Sequence, residues 1–299
     1  MNLKTSKKSA MALAAMLIMI FHLWIPVFPN SSIPGQIERF IIAGSYFGVD
    51  IFFFVSAYVL TLNPVQNYSG FIKDRALKLI PLFIIAYASG HFLWFLPALM
   101  IVYLTLSPLL KIIEKRKYSS PVIPLVLSLL IWGIFTFLFL KFIDKDQSTG
   151  IFLFRIPSVI LGAFAAKYDG KLSERQKLSA GIILTVIGIA LVYTFGYVNR
   201  IRFPFKDTFY LTGIVLMIGI LLLTDLVCDH IRFAPLEYIG SISLELYFVQ
   251  VVLGSWLVSL FFNMTGIRIA TNILVFLIVF ILSALLNTVI KRINRLRHN

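Results

Sequence analysis

GSYFGVDIFFFVSAYVL (residues 44–60) is apolar almost throughout, yet carries one carboxylate, Asp50, in its middle. Extended to residues 40–62, the run is long enough to cross a bilayer core of about 30 Å, which takes about 20 residues of α-helix. Apolar runs recur at 9–28, 79–90, 92–110, 119–140, 150–167, 178–197, 208–226, 237–260 and 270–290. In lipid a backbone must satisfy its own polar groups, so only helices and closed barrels cross. These runs lack the alternating pattern, roughly ten residues long, of barrel strands. The sequence therefore predicts an all-α fold: a polytopic transmembrane helical bundle of about ten spans, one domain over residues 1–299.

Composition agrees. The chain is 59% hydrophobic and 13% charged, against about 45–50% and about 25% in soluble domains, and its mean hydropathy is +0.92. The net charge of +14 would suit nucleic acid if it were gathered in one patch. Instead the basic residues fall in alternate short loops, which is the positive-inside pattern of a membrane protein. With both termini cytoplasmic, the inner segments hold most of the 27 Lys and Arg: Lys4, Lys7 and Lys8; Lys73, Arg75 and Lys78; Lys111 to Lys117; Lys167 to Lys177; Arg232; and Lys291 to Arg297. The expected setting is the cell's plasma membrane, with a multi-pass chain, the lipid bilayer as partner and no nucleic acid. The first apolar run lacks a small-residue cleavage site and is expected to be retained. Cys228 is the sole cysteine, which excludes an internal disulfide, and the four histidines show no paired ligand spacing, so no metal site is expected.

The third run is short. Residues 79–90 cross only if the helix begins near Phe71 and Lys73, Arg75 and Lys78 snorkel to the inner surface. The alternative, one tilted helix over 79–110, leaves nine spans and puts Lys111 to Lys117 outside, against the charge rule.

Ionisable groups at membrane depth cost at least about 2.5–3.5 kcal/mol when charged, so each needs a reason. There are four: His22 in MLIMIFHLWIP (16–26), Asp50, Arg155 in FLFRIPSVILGAF (152–164) and Glu245 in YIGSISLELYFVQ (238–250). Each also has a plain packing role open to it: a bond to a neighbouring helix, an ion pair, or a reach to the interface. Together they point to a polar cavity inside the bundle. An uncharged, buried imidazole at His22 can take a proton from a hydroxyl if a partner orients its other nitrogen, and Asp50 or Glu245 is the candidate orienter. At the inner face Arg75 and Lys78 are three residues apart, hence on one side of a helix. With Lys73 they suit phosphate binding, and equally serve as positive-inside anchors.

Six segments in order resemble the membrane acyltransferase 3 family: MLIMIFH (16–22), GVDIFFFVSAYVL (48–60), FIKDRALKLIPLF (71–83), HFLWFLPALMIVYLTLSPLL (91–110), RIPSVILGAFAAKY (155–168) and LEYIGSISLELYFVQ (236–250). The resemblance covers nearly the whole chain and implies an O-acyltransferase, most simply an O-acetyltransferase. Acetyl-CoA or another acyl-CoA would be the donor, bound from the cytoplasm, and a hydroxyl of a surface or lipid-linked glycan the acceptor. It also implies His22 as the base and Arg75 and Lys78 on the coenzyme's phosphates; acyl transfer further asks for a donor toward the developing oxyanion, for which Arg155 or Ser56 is the candidate. The chain departs from the family's pattern at Met11, where an arginine is usual, at Ala57 in place of glycine, at Gln250 where a histidine is common, and in the short stretch between Pro81 and His91. A transporter, flippase or glycan polymerase, or an inactive scaffold of a surface-polymer assembly, are the rival readings. They predict a polar cavity without acyl transfer.

Overall fold

The computed structural model describes residues 3–298 other than 64, 92, 116–121, 168–169, 201, 203 and 232; the side chains of 3–5, 107–115 and 293–298 are likewise outside the described set. The side chains of Lys4, the run Lys111 to Lys117, Arg232, Arg295 and Arg297, all among the expected inner anchors, therefore lie outside the described set. The elements are α1 (Leu3–Leu23), α2 (Ile33–Gly44), a single 3₁₀ turn, α3 (Gly48–Leu62), α4 (Tyr68–Ala88), α5 (Phe95–Lys115), α6 (Val122–Phe142), α7 (Gly150–Leu153) and α8 (Ile156–Ala166). There follow α9 (Glu174–Leu191), prolonged by a π-helical turn (Val192–Val198), then α10 (Gly213–His230), α11 (Ala234–Ser241), α12 (Ser243–Thr265) and α13 (Arg268–His298). No strand occurs among the described residues.

Among the described residues, seven stretches are long and apolar enough to cross a membrane: Ser6–Leu23, Ile33–Leu62, Val122–Phe142, Glu174–Val198, Thr208–His230, Ser243–Thr265 and Arg268–Arg292. The other three of the ten expected spans are helical but fall short of that criterion. Gly150–Ala166 is short, α5 is described with its side chains only over Phe95–Leu106, and α4 carries Lys73, Asp74, Arg75 and Lys78. α4 begins at Tyr68, where a snorkelling third helix would need to start. The single helix over 79–110 is not formed. The chain breaks after Ala88, Gly90 takes a φ of 80° that glycine adopts without strain, and α5 starts inside the bundle with Leu93, Phe95 and Leu96 all buried.

Small residues set the register. A Cβ on Gly240 would collide with the Lys8 carbonyl, and one on Gly254 with the Leu23 side chain. α1 and α11–α12 thus run parallel, in contact at matching depths along their lengths. On another side of α1, Gly48 of α3 packs against Ala14, Leu17 and Ile18. α3 lies parallel to α8, since Asp50 meets Ser158 and a Cβ on Gly162 would strike the Phe54 carbonyl. Close helix approach through small residues is the expected packing mode where lipid removes the hydrophobic drive between helices. α8 begins after a break at Arg155, with Pro157 in its first turn, where a missing N–H costs nothing.

Beyond α6, Asp144 closes the loop before α7: it accepts from the backbone N–H and hydroxyl of Ser148 and of Thr149 at 2.6–3.1 Å. These bonds, Thr149's first, lower its carboxyl to about 2. An unfolded aspartate titrates near 4. The cap's contribution is therefore complete above about pH 4 and fades as pH falls through about 2. Amide exchange at Ser148 and Thr149 is expected to stay protected at pH 5 and to lose that protection near pH 2. Equal protection at both pH values would contradict it.

Candidate active site

One face of α1 carries Lys7, Met11, Ala15, Ile18 and His22 at i, i+4, i+8, i+11 and i+15, a single stripe on a helix of 3.6 residues per turn. The stripe looks into the gap between α3, which packs on Leu17 and Ile18, and α12, which packs on Leu23. At the end of the bundle where α1 starts, that gap opens into two adjoining cavities of about 130 and 330 Å³ that share Met11, Ser56, Arg75 and Tyr103 as wall. Lys78 lines the first and Lys7 the second. Phe52, Phe95, Leu99 and Tyr247 make the inner walls apolar. The site is a cationic rim over an apolar interior.

Arg75 and Lys78 are each held by a neighbour. The Arg75 guanidinium lies over the rings of Phe71 and Tyr103, 5.1 and 5.4 Å from their centroids, and the Tyr103 hydroxyl pairs with Ser56. Lys78 Nζ stands 3.7 Å from Glu245 Oε1. Lys73, expected alongside them, is exposed and lines neither cavity, because it sits two residues from Arg75 and so points to another side of α4.

Three expectations are corrected by the geometry. The bundle does not enclose His22, whose surface is left uncovered by protein: it occupies the last turn of α1, and the chain leaves as a loop that does not cover it. Ala15 and Ile18 below it on the stripe are closed over at 1% exposure each, so His22 stands where the covering of the bundle-facing stripe ends. Its ring meets Phe21 edge-on, with centroids 5.1 Å apart. Second, neither carboxylate orients the imidazole. Asp50 lies two residues past Gly48, about 200° round α3, and so faces away from α1; it accepts from the Arg155 guanidinium and, at 2.9 Å, from Ser158. Glu245 lies nine residues before Gly254, which puts it about 12 Å below His22, and its partner is Lys78. Third, Arg155 is remote from Arg75 and Lys78. It is buried at 2% exposure, with its guanidinium 4.1 Å from the Tyr210 ring centroid and 5.5 Å from that of Tyr46.

Several contributors were not singled out by sequence reasoning. Lys7 sits one helical turn before Met11, so the cation that position 11 lacks is supplied one turn away, a spacing visible in the sequence. The loop after His22 is clamped by groups far off in the chain. Asn272 accepts from the Ile25 N–H at 2.9 Å and donates to its carbonyl at 2.8 Å. Glu38 accepts from the Trp24 indole at 2.8 Å and from the N–H groups of Val27 and Phe28. Arg268 donates to the Pro26 carbonyl at 3.1 Å. Nothing local marks Asn272 as different from any other polar residue of a span.

No curated protein and no solved structure matches the chain. A family match, in contrast, runs over residues 12–292 and is described as an acyltransferase domain. It takes in the α1 stripe from Ala15 to His22, the cationic pair on α4, and the ion pairs of Asp50 and Glu245. The chain, all-helical with seven membrane-length apolar helices among its described residues and matched over nearly its full length, belongs to the acyltransferase 3 family.

Proposed function

We propose that the protein is a membrane O-acyltransferase, in the simplest form an O-acetyltransferase. It would move an acyl group from acyl-CoA at the cytoplasmic end to a hydroxyl of a surface or lipid-linked glycan at the other, across ten spans of the plasma membrane with both termini inside. The observation that carries this reading is the stripe that joins the cationic cavity at Met11 to His22, eleven residues and about 16 Å further along one face of α1. Coenzyme A is anionic at its nucleotide end, and its acyl thioester is small and mostly apolar. Lys7, Arg75 and Lys78 on the rim and the aromatic walls inside fit those two ends.

His22, open on the far side, meets the acceptor hydroxyl. As the acceptor oxygen bonds to the acyl carbon, His22 takes the hydroxyl proton. The carbon–sulfur bond then breaks, and the proton passes to the departing thiolate. Atoms and charge balance without a metal or a redox partner. Ala15 and Ile18 fill the stripe between cavity and histidine, so the acyl end must part side chains there to reach the base. The clamped loop beyond His22 keeps the imidazole in place while they move, which is the positioning that makes a general base effective.

The test is transfer of labelled acetyl from acetyl-CoA to extracted glycan by membranes containing the full chain. Wild-type membranes that move no label overturn the reading and favour transport or scaffolding. Arg75→Ala is expected to raise KM for acyl-CoA about 10-fold, a loss of about 1.4 kcal/mol, with kcat within about twofold. A fall in kcat with KM unchanged would remove Arg75 from donor binding.

A further inference from the structure

Gln250 is 1% exposed, and among the described residues neither its Nε2 nor its Oε1 has a hydrogen-bond partner. A buried amide idle at both ends is costly and rare in folded proteins. Its position gives the reason for keeping it. Ser243 and Tyr247, which line the donor cavity, share one face of α12 with Gln250 and Gly254 at i, i+4, i+7 and i+11. Gly254 abuts Leu23, so four residues lower Gln250 lies level with Met19 of α1. That is above the cavity wall at Met11 and roughly one turn below His22. The amide thus stands on the wall of the closed stretch that the acyl end must enter.

Resting on the acyl-transfer reading above, we propose that Gln250 binds the thioester: its Nε2 donates to the acyl carbonyl oxygen. In the ground state this bond fixes the carbonyl beside His22. As the acceptor oxygen adds to the carbonyl carbon, negative charge gathers on the oxygen that Nε2 already faces, where a preset donor acts most strongly. As the C–S bond breaks, the oxygen's electron pair re-forms the C=O bond and the charge leaves on the thiolate sulfur, which takes the proton held by His22. The acyl-bearing end of the donor, not its nucleotide, is what the residue recognises.

The experiment uses the full chain in membranes, with Gln250→Met (same length, no donor), Gln250→His (a donor retained) and wild type. It reads label transfer from acetyl-CoA and, separately, binding of acetyl-CoA and of free CoA, which has no carbonyl. Expected are a fall in kcat of about 10²-fold for Q250M, substantial recovery in Q250H, and loss in Q250M of tighter binding to acetyl-CoA with free CoA unaffected. Free-CoA binding at the wild-type level shows that Q250M is folded. An active wild type with Q250M equally active, or with both ligands weakened alike, overturns the assignment while the acyl-transfer reading stands. A wild type that transfers no label overturns that reading, and this assignment with it.

Discussion

His22→Ala is expected to cut acyl transfer by about 10²–10⁴-fold, the range a positioned general base supplies, with the chain still inserted and its affinity for CoA unchanged. Two features separate this outcome from a folding defect. The residue is exposed at the last turn of α1, so losing its ring opens no void in the core. The clamp on the next residues, from Asn272 to Ile25 and from Glu38 to Trp24, Val27 and Phe28, uses no atom of His22. The measurement pairs label transfer with CoA binding on the same preparation. Full activity in His22→Ala would remove this base from the mechanism and leave the fold untouched. Loss of CoA binding would instead place His22 in the structure of the donor site.

The second large effect is on stability. Arg155→Leu leaves Asp50, which is fully buried, with Ser158 as its remaining partner. Removing one member of a buried ion pair typically costs about 3–5 kcal/mol, because an uncompensated charge stays inside. The guanidinium also stacks on Tyr210 and Tyr46, contacts that a leucine does not replace. Replacing both partners, Asp50→Leu with Arg155→Leu, is expected to be milder than Arg155→Leu alone, since no charge is stranded. Thermal unfolding in detergent checks the order. A single variant as stable as wild type, or a double variant worse than the single, would deny the pair its structural role. If the double variant unfolds like wild type yet transfers no label, Asp50 or Arg155 acts in the chemistry after all.

Helix positions were readable in the sequence because a helix in lipid satisfies its backbone locally, so apolar run length alone marks it. Hence α4 starts near Phe71, as the snorkelling of Lys73, Arg75 and Lys78 requires. Breaks inside the runs were not readable from hydropathy. The kink at Arg155, the split between α11 and α12, and the re-entrant start of α5 leave an apolar run apolar. Side-chain pairing was also hidden. His22, Asp50, Arg155 and Glu245 share the expense of sitting at membrane depth, and expense alone does not say who meets whom. That depended on the turn of α3, which aims Asp50 at Ser158 rather than at α1, and on the depth of Glu245 on α12, which gives it Lys78. Arg75 and Lys78 were legible as a pair because their spacing lies within one helix.

The contact between Lys8 and Gly240, and that between Leu23 and Gly254, also fix when the wall between α1 and α11–α12 can form. About 230 residues must leave the ribosome after α1 before its partner emerges, roughly ten to fifty seconds at about 5–20 residues per second. Until then the first helix waits in the bilayer with its histidine present but one wall of the cavity still unmade. On the proposed function, a chain halted before residue 240 is expected to transfer no acyl group, however much of it has been inserted.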